Sequence, residues 1–153
     1  MNRIRTNASV AGIPLILLTR ANAKTPAPIS LKLATDTNPV KVGTEVKVTI
    51  TVKNEGQEAI MIADGTSEHI YKVDVRDNLG NPVPEKKHLR IFSIGGMTLY
   101  PGRSHTDEIV LSNMYDLSRP GTYFVMVGRN PKVEPESGTE NLRSNLLVIN
   151  VTI

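Results

Sequence analysis

Cysteine and tryptophan are missing from this chain. Without cysteine no disulfide can staple the fold, so stability has to come from an ordinary apolar core. The same absence removes thiol nucleophiles, cysteine-ligated zinc and the cysteine ligand of a blue-copper centre. Aromatics are scarce, with two Phe and four Tyr in 153 residues. Long apolar runs are also lacking. Val10–Leu18 (VAGIPLILL) has nine residues, well short of the roughly 18 that a spanning helix needs.

That short run has the flanks of a secretory signal. Arg3 and Arg5 precede it and Ala21-Asn22-Ala23 follows it as a small-x-small cleavage pattern. Residues 1–23 are expected to be a cleaved signal, 24–29 a flexible proline-bearing lead-in, and 30–153 one domain. The expected location is secreted or periplasmic. The excess of base disappears with the signal. Eighteen Lys+Arg less Arg3, Arg5 and Arg20 leaves 15, against 15 Asp+Glu. A balanced domain has no basic stripe, which argues against a nucleic-acid partner and against attraction to anionic membranes.

What is present is alternation. Val46, Val48, Ile50 and Val52 alternate with Lys47, Thr49, Thr51 and Lys53, the pattern of a strand with one wet face. Further runs are predicted over 30–36, 58–64, 69–77, 104–112, 122–128 and 144–153. Residues 89–102 read as a bent strand with Gly95-Gly96 at the bend. Turn residues separate these runs and no sustained helical period appears. The fold class is therefore all-β: an immunoglobulin-like two-sheet sandwich of seven to eight antiparallel strands in Greek-key order. Residues 129–143 form a polar loop long enough to be either functional or disordered.

The most specific local signal is YDLSRPGTYFV, 115–125. Leu117, Gly121 and Tyr123 have the spacing of a tyrosine corner, in which the hydroxyl bonds upstream backbone at the crossing between sheets. Arg119 stands where an acid is usual, and Val125 stands where antibody domains carry a cysteine. Longer stretches, VKVGTEVKVTITVKNEGQEAIMI, VDVRDNLGNPVP, LYPGRSHTDEIVLSNMYDLSRPGTYFV and RSNLLVINVTI, give a wider resemblance. The chain resembles the immunoglobulin-like amino-terminal domain of deuterolysin-type and peptidyl-Lys metalloendopeptidases. It is also similar to secreted bacterial domains related to BsuPI-type proteinase inhibitors. The first resemblance implies an accessory or pro-domain role, and the second implies binding to a proteinase.

Chemistry is hard to find. His69, His88 and His105 lie in HIYKV, HLRIF and HTDEI, none of which is a helical zinc motif. Convergence of the three histidines with methionines on a copper-type site is an outlying alternative. Ser104-His105-Thr106-Asp107 groups suggestive residue types, but strand neighbours point to opposite faces. No GxSxG and no phosphate loop is present. No catalytic, cofactor-binding or metal-binding residue is assigned, and the protein is expected not to be an enzyme.

Two surface segments are candidates for recognition. One is EKKHLR, with Lys86, Lys87, His88 and Arg90, which equally suits a charged edge that blocks aggregation. The other is the loop after the penultimate strand, with Arg129, Lys132, Glu134 and Glu136. The expected function is a secreted, non-catalytic module that binds a protein or cell-surface partner through end loops. A proteinase inhibitor is the alternative.

Overall fold

The computed structural model describes residues 28–87, 91–133, 138–139 and 141–153. The expected signal segment, most of the lead-in, His88, Arg90, Glu134 and Glu136 lie outside the described residues.

The strands follow the alternation. β1 (Ile29–Ala34) begins one residue before the expected start, and Leu31 and Leu33 face inward. β2 (Val40–Lys41) is a two-residue strand. β3 (Lys47–Asn54) is the spine of the core, with Val48, Ile50 and Val52 wholly buried. Burying each such side chain contributes about 2 kcal/mol. β4 (Ile60–Gly65) is followed by a one-turn helix, α1 (Ser67–Ile70), and by β5 (Tyr71–Arg76). β6 (Ile94–Leu99) and β7 (Ser104–Val110) come next, then a second one-turn helix, α2 (Leu111–Met114). β8 (Gly121–Arg129) and β9 (Leu147–Thr152) complete the chain.

One sheet has the order β2-β9-β8-β5 and the other β1-β3-β7. All pairings in them are antiparallel except the short β2–β9 contact. β1, β3 and β7 take the places of immunoglobulin strands A, B and E, and β5, β8 and β9 those of C, F and G. The two inner faces close on one core that includes Ile50, Val125, Val127 and Ile149.

The third sheet departs from that plan. β6 occupies the sequence place of immunoglobulin strand D, which normally belongs to the A-B-E sheet. Here it pairs instead with β4, a strand inserted between the B and C positions, as a two-stranded ribbon. Gly95 and Gly96 do not form a bend. Both lie inside β6 and pair with Asp64 and Ala63. The expected strand over 104–112 stops earlier, because the chain turns helical at Leu111 and buries both Leu111 and Met114. Neither helical turn is visible in the sequence, since four residues are too few to set up a helical period.

The tyrosine corner has the expected geometry. Tyr123 is buried and its hydroxyl donates to the Arg119 carbonyl at 2.6 Å. Leu117 is buried beside it. Gly121 sits at φ +151°, a backbone conformation that other residues rarely adopt. Tyr115 is buried too and donates to the Val73 carbonyl at 3.0 Å. Both tyrosines of the segment therefore tie backbone to backbone.

Candidate functional site

The ribbon is where the molecule is least like a plain sandwich. One of its faces is anchored. Ile62 on β4 and Leu99 on β6 are buried in the core. Asn54, wholly buried at the end of β3, donates from Nδ2 to the Leu99 and Glu58 carbonyls at 2.8 Å each. Its Oδ1 accepts from the Gly56 backbone N–H. Arg129 reaches over from β8 and donates from Nη2 to the Ala63 carbonyl at 2.9 Å.

The opposite face and the flanks carry apolar groups into solvent. Met61 is 64% exposed, Ile91 83%, Ile94 53% and Tyr100 62%. Phe92 is half exposed and stacks on the His69 ring, with centroids 4.2 Å apart. The Met61 thioether accepts from the Thr98 hydroxyl across the pair. No residue from Ile91 to Gly102 is charged. Each strand of the ribbon pairs on one side only among the described residues. Natural sheet edges are usually guarded by lysines, inward charges or bulges. β6 carries no charge at all.

Beneath the ribbon lies a polar cluster. His105 and Asp107 are alternate residues on β7 and share a face, and His105 Nε2 lies 3.1 Å from Asp107 Oδ1. Adjacent residues in Ser104–Asp107 do diverge, but the alternate pair converges. Asp64 of β4 brings its Oδ1 to 3.6 Å from the same nitrogen. The other Asp107 oxygen accepts a 2.6 Å hydrogen bond from the Tyr71 hydroxyl. The Arg129 guanidinium lies over the Tyr71 ring, 4.9 Å from its centroid. Burial, with the Asp107 hydrogen bond adding to it, pushes the Tyr71 phenol well above its ordinary range.

Arg129 is therefore not a binding-loop residue. It is 2% exposed. Tyr123, Val125 and Val127 all point inward, and Arg129 continues the same parity to the end of β8. Lys86, Lys87 and Lys132 are exposed. Lys86 is held by its Nζ donating to the Ser112 carbonyl at 2.8 Å. The described ends of the loop after β8 are tied down. Ser144 Oγ accepts from the Val127 N–H, and Thr139 is wholly buried. Of the two histidines among the described residues, His69 is engaged with Phe92 and His105 with two carboxylates.

The two packed sheets, the tyrosine corner and the Greek-key order define an immunoglobulin-like β-sandwich domain. No protein-family model matches the sequence, and no curated protein matches it. Among solved structures it is similar to a CARDB domain from Pyrococcus furiosus. The solution structure of that domain aligns at TM-score 0.46 and 14% identity, over 84% of this chain and 98% of that one. Its crystal structure in complex with di-metal ions aligns at TM-score 0.45 and 15% identity, over 84% and 97%. A region of a β-glucosidase from Listeria innocua aligns at TM-score 0.42 and 16% identity, over 82% of this chain but only 16% of the enzyme. These likenesses agree with a β domain and carry no inference about ligand or activity. They lend nothing to the metalloendopeptidase or inhibitor resemblance, which stays an expectation of the sequence.

Proposed function

We propose that this chain is a non-catalytic binding module, secreted or periplasmic, whose recognition surface is the β4–β6 ribbon. The partner is a protein that lays an extended segment along the open side of β6. The observation that supports this reading is the uncharged stretch Ile91–Gly102. It combines an unpaired strand edge with exposed Ile91, Ile94 and Tyr100.

Strand addition draws affinity from main-chain hydrogen bonds and selectivity from alternate side chains. Gly95 leaves the β6 backbone uncovered for such an approach, while the Met61 methyl lies over Gly96 as a pliable apolar contact. The ribbon's buried anchors, Asn54 and Arg129, keep this edge preformed and so lower the ordering cost of binding.

The test is selection of a displayed library of unstructured peptides on the full chain, repeated with Ile94→Lys and Met61→Lys together. The expected result is enrichment of apolar, strand-forming sequences whose binding the double variant abolishes while its melting temperature stays unchanged. Enrichment of peptides that bind wild type and double variant equally would move recognition elsewhere on the domain.

A further inference from the structure

We propose that Asp64, His105 and Asp107 form a binding site for a single divalent cation of the zinc class, bridging the ribbon to the β7 sheet. The inference does not depend on what the ribbon binds.

Three features carry it. The first is donor chemistry. One imidazole nitrogen and two carboxylates suit borderline cations, Zn²⁺ first among them, more than purely oxygen-loving Ca²⁺ or Mg²⁺. The second is spacing. Zinc ligands at 2.0–2.1 Å in a tetrahedral shell stand about 3.4 Å from one another. His105 Nε2 stands 3.1 Å from Asp107 Oδ1 and 3.6 Å from Asp64 Oδ1. One donor atom from each residue fits within a mutual span of 4.8 Å. Asp64 is about half exposed, and its Oδ1 also accepts from the Gly65 N–H at 2.9 Å, a bond that orients this oxygen and leaves it a further lone pair for the ion.

The third is the outer support of Asp107. Metal-bound carboxylates are themselves oriented by hydrogen bonds from a second layer. Tyr71 supplies such a bond to Asp107 Oδ2, and its ring is fixed by burial and by Arg129. That leaves Oδ1 turned to His105. Two carboxylates outnumber the Arg129 guanidinium, so the pocket favours a cation.

The arrangement joins separate parts of the chain. Asp64 is the penultimate residue of β4, opposite Gly95 of β6, while His105 and Asp107 belong to the β1-β3-β7 sheet. A bound ion cross-links the ribbon to the body with a ligand set that leaves a coordination position open to water, since none of the three side chains is fully buried.

The experiment is titration of the metal-free full chain with Zn²⁺, Mn²⁺, Ca²⁺ and Mg²⁺ by calorimetry, paired with melting curves. Wild type is expected to take up one equivalent of Zn²⁺ and to melt higher with it, because a ligand bound only by the folded state stabilises that state. His105→Asn and Asp64→Asn are each expected to weaken zinc binding by more than about 100-fold. Tyr71→Phe, which removes only the outer support, is expected to weaken it by about 10–100-fold. Unchanged circular dichroism of the metal-free variants shows that they fold. Absence of saturable zinc uptake by folded wild type overturns the proposal. So does zinc binding that persists at full strength in both ligand variants, or preferential uptake of Ca²⁺.

Discussion

Asn54→Ala is the perturbation that bears most directly on how the ribbon is mounted. Asn54 is wholly buried, and its side chain makes three hydrogen bonds of 2.8–2.9 Å. Two of them are donated by Nδ2 to the Glu58 carbonyl, just before β4, and to the Leu99 carbonyl, at the end of β6. Intramolecular hydrogen bonds contribute about 1 kcal/mol each, and an unsatisfied buried acceptor adds to the loss. Leu99 is itself buried, so its carbonyl has little access to water once the amide is gone. The expected loss is about 3–4 kcal/mol, a large part of the roughly 5–15 kcal/mol by which domains are stable. Urea denaturation measures it as a fall in midpoint at constant slope. Hydrogen exchange should then show β6 amides opening ahead of those in β3 and β8. The neighbouring exposed Lys53→Ala should stay within about 0.5 kcal/mol of wild type. A loss below about 1 kcal/mol for Asn54→Ala, or β6 protection unchanged, refutes the idea that this amide holds the ribbon.

Other expectations are simpler. Tyr123→Phe removes the 2.6 Å bond to the Arg119 carbonyl and should cost about 1 kcal/mol in a denaturant series. An unchanged midpoint would leave the corner without an energetic role. Tyr71 is held protonated above its usual range by burial and by Asp107. The folded state therefore binds that proton more tightly than the unfolded chain, whose tyrosines ionise near about pH 10. The associated stability is complete below that pH and is lost as pH rises above it. Melting curves between about pH 9 and 11 should fall, and less steeply in Tyr71→Phe. Equal slopes would show that Tyr71 does not carry the alkaline loss. Assay against a panel of serine, cysteine and metallo-proteinases tests the inhibitor alternative, and inhibition abolished by Ile94→Lys would extend the ribbon reading to that class.

Much of the sandwich is legible in the chain because a half-buried strand has a period of two. Val46 to Val52 specify their own faces, and the spacing from Leu117 to Tyr123 marks the corner. Arg129 shows where residue type misleads. A charged residue at the start of a polar loop looks exposed, yet strand parity from Tyr123 through Val127 already places it inside. The same parity pairs His105 with Asp107, a signal carried by alternate positions of HTDEI and not by adjacent ones. Asp64 joins them only through the pairing of β4 with β6, a long-range choice that local alternation does not encode. Gly95-Gly96 likewise looks like a break, because glycine is usually unfavourable inside strands. Inside β6 it is accommodated by pairing with Asp64 and Ala63.

In the proposed reading, recognition runs along β6 and not through the loops at 86–90 and 129–143. Amide hydrogen exchange of the full chain, free and saturated with a selected peptide, tests it most directly. New protection is expected to be confined to the ribbon, strongest from Ile91 to Tyr100, with the loop after β8 unchanged. Protection appearing around Asn130–Val133 and Asn141–Arg143, with β6 exchanging as in the free protein, would contradict it.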